Sequence, residues 1–179
     1  MRKALVVVDM QNDFIDGVLG NAECQAVVPK IVGMIENGDY SSIVVTRDTH
    51  YEHGYLNTQE GKKLPVVHCV KNTDGWNINA DIMKAIDSKK PYISLFTIDK
   101  NTFGSLTLVD VLQDELSDCD EIDFCGVCTG ICVISNVAIA KAALPETKIC
   151  VIEEACACVT PDTHKTAIEA MKTFQVDII

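Results

Sequence analysis

Lys3-Ala4-Leu5-Val6-Val7-Val8-Asp9 is the stretch on which the fold is decided. Its apolar residues are consecutive rather than alternating, and three are β-branched, which favours a strand covered on both faces. Strands of that kind belong to parallel sheets sandwiched between helices. Working outward, Ser42 to Arg47, Glu121 to Cys125 and Lys148 to Glu153 read the same way, and Tyr92 to Ile98 and Val176 to Ile179 complete the set. Helical periodicity falls between them, over Ala26 to Gly38, Asn79 to Ser88, Thr107 to Leu116, Gly130 to Ala143 and Pro161 to Phe174. Strand and helix in alternation predict a three-layer αβα fold, a doubly wound, mostly parallel sheet in one domain spanning residues 1–179.

In such sheets the ligand crevice lies beyond the carboxyl ends of the strands. The residues just past each strand are Asp9, then Asp48 and His50, then Lys100, then the loop Gly126 to Cys132. Most of the unusual chemistry in the chain gathers at those positions. Asp48 to Trp76, the longest segment without clear periodicity, leaves the same edge, and long irregular segments in compact domains are often functional.

Composition narrows the partners. The chain has 179 residues, 47% of them hydrophobic, and a formal net charge of -11. So negative a surface repels phosphate backbones and anionic lipid heads, making nucleic acid and membranes poor partners. The apolar run after Met1-Arg2-Lys3 is too short for a secretory signal and ends in an acid. No stretch approaches the ~18 apolar residues of a membrane span. A cytoplasmic, reducing location is expected, and the odd count of 9 cysteines argues against a disulfide framework. Cys69, Cys125, Cys150, Cys156 and Cys158 read as small buried hydrophobes. Cys156-Ala157-Cys158 is a poor metal pair, because alternate residues at a strand end face opposite ways.

Cys132 falls in the first turn of the helix that follows Gly126-Val127-Cys128-Thr129-Gly130-Ile131. There, unpaired N–H groups and the helix dipole favour thiolate over thiol, and the same N–H groups could hold an oxyanion. Cys128 competes for the role but lies in the turn. Asp9 closes an apolar strand, where a carboxylate is costly without a partner; capping the next turn is its bland role. Lys100 is either a solvated lysine or the cation beside the thiol. Three of the four histidines, His50, His53 and His68, share one segment with Asp48 and Glu60. An Asp, two His and a further carboxylate suit zinc, iron or manganese, although a histidine-bearing loop can also simply pack. His164, in the last helix, reads as structural.

Three separated motifs, Val8-Asp9-Met10-Gln11-Asn12-Asp13-Phe14, Lys100-Asn101-Thr102-Phe103-Gly104-Ser105 and Gly126 to Val133, resemble the isochorismatase-like cysteine hydrolases, in the right order over essentially the whole chain. The resemblance implies that Asp9 is the base for Cys132 and that Lys100 stabilises the thiolate. It also implies a cis peptide between Val127 and Cys128, and an oxyanion hole from the N–H groups of Cys128 and Cys132. Cys132 would attack an amide and form a thioester that water hydrolyses; isochorismatases proper lack this cysteine. Within the family the chain is similar to nicotinamidases, which implies Asp48, His50 and His68 as ligands of a divalent metal, zinc ahead of iron or manganese. Glu60 is the preferred fourth ligand, with His53 as the alternative. The implied substrate is a small carboxamide, nicotinamide first, in a pocket that includes Phe14 and Val127. Self-association is expected by the same analogy. Two departures stand out: Leu64-Pro65-Val66-Val67 occupies the place of an aromatic shelf, and Gly130 replaces a common acidic residue. The rival readings are a metal-independent carbamoyl or ureido amidohydrolase, and a non-catalytic binding protein on the same fold.

Overall fold

Six strands, β1 (Lys3–Val8), β2 (Ser42–Asp48), β3 (Ser94–Lys100), β4 (Glu121–Val127), β5 (Lys148–Ala157) and β6 (Asp177–Ile178), form one sheet in the order β3-β2-β1-β4-β5-β6. Every pairing is parallel. The computed structural model describes all residues from Met1 to Ile179. The chain winds outward from β1 to β3 on one side and returns to β4 on the other, so the strand order reverses between β1 and β4. That reversal point is where a parallel sheet opens a ligand crevice.

Seven helices accompany the sheet: α1 (Asn12–Ile15), α2 (Ala22–Asn37), α3 (Gln59–Lys63), α4 (Ala80–Lys89), α5 (Thr107–Glu115), α6 (Ile134–Ala143) and α7 (Pro161–Thr173). One apolar cluster joins the sheet to α5, α6 and α7 through Leu108, Leu112, Val137, Ile168 and Met171. The other joins it to α2 and α4 through Val27, Ile31, Ile35, Ile82 and Ile86. β1 feeds both. Ala4, Val6 and Val8 belong to the first cluster, Leu5 and Val7 to the second, and all five are fully buried. The unbroken apolar run of β1 follows from this two-sided burial.

Several boundaries differ from the sequence reading, three of them for a clear local reason. Helix α2 starts at Ala22 rather than Ala26, because the Asn21 side chain accepts from the N–H of Cys24 and caps a largely exposed first turn. Strand β5 runs past Glu153 to Ala157. Its pairing with β4 shifts between Phe124 and Gly126, so exposed Glu153 and Glu154 interrupt the apolar pattern without ending the strand. The helix expected from Gly130 opens as a π-turn over Thr129–Val133, and regular α-helix begins only at Ile134.

Gly126 ties β4 to the centre of the sheet at a place no other residue fits. It pairs with Val8, has φ of +119°, and a Cβ there would lie 2.1 Å from the Val8 carbonyl oxygen. Both the backbone conformation and the close approach require glycine. Gly126→Ala is expected to lower unfolding free energy by about 3 kcal/mol or more. Denaturant unfolding of the purified variant checks this, and a loss below about 1 kcal/mol would show that the strand can shift to make room.

Candidate active site and metal centre

Four strand ends deliver the polar groups. Asp9, the first residue after β1, has φ of +49°, a conformation Asp tolerates better than most residues. Its N–H donates to the Thr46 carbonyl at 3.2 Å, and its Oδ1 accepts from Thr46 Oγ1 at 2.7 Å. Its Oδ2 faces Lys100 Nζ at 2.6 Å. Lys100, the last residue of β3, sits in register with Asp48 at the end of β2. The same ammonium lies 3.7 Å from Cys132 Sγ and 3.9 Å from Asp48 Oδ1. Asp9, Lys100 and Cys132 are all buried, so the three side chains meet in a site almost shut off from bulk water.

Burial pushes the Asp9 carboxyl up, with Lys100 opposing it. Burial alone would lower Lys100, but the charges of Asp9, Cys132 and Asp48 outweigh it and hold the ammonium protonated. For Cys132, burial and then the Asp9 carboxylate push the thiol well above its ordinary value, against the pull of Lys100. Burial therefore opposes the thiolate that the helix start favours, because Lys100 is already paired with Asp9 and a second buried anion would be uncompensated.

The loop carrying the thiol is strongly shaped. The Val127–Cys128 peptide is cis. The Cys128 carbonyl accepts from the N–H groups of Ile131 and Val133, leaving that of Cys132 outside this pattern. Asn136, fully buried, locks the loop from behind: its Nδ2 donates to the carbonyls of Cys132 at 2.8 Å and Phe103 at 3.1 Å, and its Oδ1 accepts from Ser105 N–H at 3.0 Å. One side chain thus joins the cysteine loop to the segment after Lys100.

Beside the triad, Asp48, His50, Glu60 and His68 bring one ligand atom each within 4.8 Å of all the others. Asp48 Oδ2 lies 3.0 Å from His50 Nε2 and 3.3 Å from His68 Nε2, and Glu60 Oε1 lies 3.6 Å from each of those nitrogens. Donors at about 2.1 Å from a tetrahedral ion stand ~3.4 Å apart, so these four edges suit one. His68 Nδ1 donates to the Val66 carbonyl at 2.8 Å, which aims Nε2 inward at two carboxylates. Burial lowers His50, but hydrogen bonds to Asp48 and Glu60 outweigh it and hold the imidazole at about 9. Asp48 shows the converse: burial raises it, and its contacts with His50 and His68 pull it well below the usual carboxylate range. Two carboxylates converging on inward-facing imidazoles form a donor set that calls for a cation. Exposed His53 stands outside this group.

A cleft opens over the site, lined among others by Thr49, His50, Glu60, Asn101, Phe103 and Ile131. Phe14 packs its ring against His68, with centroids 5.4 Å apart. Val127, expected in the pocket, has its side chain fully buried in the cluster beneath α2. Trp76 lies under the Arg47 guanidinium and donates to Thr49 Oγ1 at 2.9 Å, so it supports the strand ends rather than the cleft. The sequence reading missed Tyr55, whose ring packs on His50 and His68 and whose hydroxyl donates to the Leu64 carbonyl at 3.0 Å. It also missed Asn136. His164, read as structural, bonds Thr129 Oγ1 at 2.8 Å behind the cysteine loop.

A family model described as the isochorismatase domain matches residues 3–179. The nicotinamidase/pyrazinamidase of Mycobacterium tuberculosis is 27% identical over 99% of this chain and 98% of its own length. Among solved structures, the nicotinamidase/pyrazinamidase of Bacillus subtilis superposes with a TM-score of 0.83 at 23% identity, covering 99% of both chains. The pyrazinamidase of Pyrococcus horikoshii, solved in complex with zinc, gives 0.78 at 24% identity over 100% of this chain and 99% of its own.

Asn136→Ala removes three hydrogen bonds and strands buried partners, which is expected to cost about 3 kcal/mol of stability. Equilibrium unfolding measures this, and an unchanged midpoint would mean that water replaces the amide.

Proposed function

This chain belongs to the isochorismatase family, and we propose that it is an amidohydrolase that cleaves a small carboxamide through a thioester on Cys132, with nicotinamide as the preferred substrate. The observation that carries this reading is that Lys100 bridges Asp9 and Cys132 beside four convergent metal-ligand donors. The relatives named for nicotinamide and pyrazinamide hydrolysis support the choice of substrate class.

The protein's own groups account for the chemistry. Asp9, made more basic by burial, accepts the Cys132 proton as sulfur attacks the amide carbon. Charge that develops on the carbonyl oxygen meets the N–H groups of Cys128 and Cys132. Asp9 then passes the proton to the departing nitrogen, which leaves as ammonia, and later takes a proton from the water that opens the thioester. Lys100 stays charged throughout and balances whichever of Asp9 and Cys132 is anionic. Asp48, His50, Glu60 and His68 would hold a divalent ion, with zinc as the proposed one; when bound, it supplies a Lewis acid for the pyridine nitrogen of the substrate.

The deciding experiment is ammonia release by the purified protein across nicotinamide, pyrazinamide, ureido and aliphatic amides. Nicotinamide should give the highest kcat/KM; a preference for ureido compounds without added metal would favour the metal-independent reading. Cys132→Ala should lower kcat by roughly 10^4 or more while the fold survives. Retained turnover in that variant would rule out the thioester.

Zinc dependence separates the candidate fourth ligands. Glu60→Gln should weaken zinc binding by about tenfold or more, whereas His53→Ala should leave it unchanged. Calorimetric titration of each metal-stripped variant reads this, and the opposite order would make His53 the ligand.

A further inference from the structure

A second convergence of ligand-type side chains lies at the opposite edge of the sheet, where β4 and β5 begin. Glu121, Asp123 and Cys150 each offer one ligand atom within 4.8 Å of the other two, and all three residues are buried. The strands dictate the meeting. Glu121 and Asp123 are two apart on β4 and so share a face, and Asp123 pairs in register with Cys150 on β5. The length of β4, on the order of 20 Å for its 7 residues, separates this group from the crevice. Ion pairing accounts for part of the cluster. Lys3 contacts Glu121, and Lys148 Nζ donates to Glu121 Oε2 at 2.8 Å. The Tyr40 hydroxyl donates to Asp123 Oδ2 at 2.9 Å, and Lys3 Nζ lies 3.4 Å from the same oxygen. These contacts leave over Asp123 Oδ1, which is buried and has no hydrogen-bond partner, in a residue only 1% exposed. An orphaned carboxylate oxygen is costly, and in a native structure it points to a water or an ion. The neighbouring thiol favours the ion, because two carboxylates and a sulfur make a metal-ligand set.

We propose that Glu121, Asp123 and Cys150 form a second divalent-cation site, of zinc class, independent of the donor group beside Cys132. Asp123 Oδ1, Cys150 Sγ and one Glu121 oxygen are the protein ligands, and water completes the tetrahedron. As the metal–sulfur bond forms, the Cys150 proton passes to solvent, and nothing is oxidised or reduced. A thiolate beside carboxylates selects zinc over magnesium and calcium, which take oxygen ligands. Tyr40, Lys3 and Lys148 hold the ligating carboxylates from outside, as groups around a metal's ligands do. The two lysines do not compete the ion away. They already balance the two carboxylates, so replacing the thiol proton by a divalent ion adds one net charge. That charge sits at an edge open to water, where the Lys148 side chain is 48% exposed. The bound ion clips the start of β4 to β5 and takes no part in turnover.

The test titrates cobalt(II), a spectroscopic stand-in for zinc, into the purified, metal-stripped full chain. The donors beside Cys132 are oxygen and nitrogen only, so a thiolate-to-cobalt charge-transfer band reports the second site. The band should grow in with one equivalent of cobalt, and Cys150→Ser should abolish it. His50→Ala should leave the band intact, which separates this site from the proposed active-site metal: the band stands even if no ion binds beside Cys132. Asp123→Asn keeps the thiol and the side-chain shape, and should weaken the band-forming equivalent by about tenfold or more. That variant decides the matter should the serine variant fail to fold. Absence of the band in the unmodified chain, a band that survives Cys150→Ser, or unchanged affinity in Asp123→Asn would each overturn the proposal.

Discussion

The constraint on which the rest depends is the buried ion pair of Asp9 and Lys100, closed to 2.6 Å at the strand-order reversal. Taking a carboxylate and an ammonium out of water is expensive, and removing one partner leaves the other uncompensated. The sheet supports this pair from all sides. Asp9, just past β1, has positive φ and sets the carboxylate at the crevice, Thr46 on β2 fills its second oxygen, and β3 ends on the ammonium in register with Asp48. None of this can be assembled from a single hairpin or helix. It requires three parallel strands whose carboxyl ends finish level, and the two-sided apolar burial of β1 keeps them so.

How much of this is legible in the sequence depends on whether a residue acts through its place in the chain or through contacts made by distant segments. Asp9, Asp48, Lys100 and Cys132 are legible because each ends or follows a recognisable strand, and the crevice rule selects such positions. The sheet is legible for the same reason as β1: continuous apolar runs require helices on both faces. Asn136 is not, because one polar residue in the helical run Ile134 to Ala143 looks like a solvent-facing position, and only the approach of the Phe103 to Ser105 segment makes it a buried brace. Tyr55 is hidden likewise in a segment without periodicity. Val127 reads as a pocket residue by its neighbours in sequence, yet the sheet turns its side chain into the core. The surroundings of Cys132 are the plainest case. A helix start and a nearby lysine argue for a thiolate, but that argument omits Asp9, which has already taken up the lysine's charge.

The same charge balance joins the thiol to the metal group. Asp48 touches both, lying 3.9 Å from Lys100 Nζ and 3.0 Å from His50 Nε2, and its carboxylate is one of the charges that raise the Cys132 thiol. The carboxyl groups of Asp9, Asp48 and Glu60 gather around one ammonium, that of Lys100, and a divalent ion among the four donors would balance the excess. Committing Asp48 to such an ion would withdraw part of its field from the sulfur and lower the cost of ionising Cys132. An ion bound there would thus ease loss of the thiol proton through one carboxylate, that of Asp48. An Asp48→Asn change would therefore remove a ligand and a source of thiol repulsion together. Its effect on Cys132 reactivity would have the opposite sign to its effect on zinc affinity.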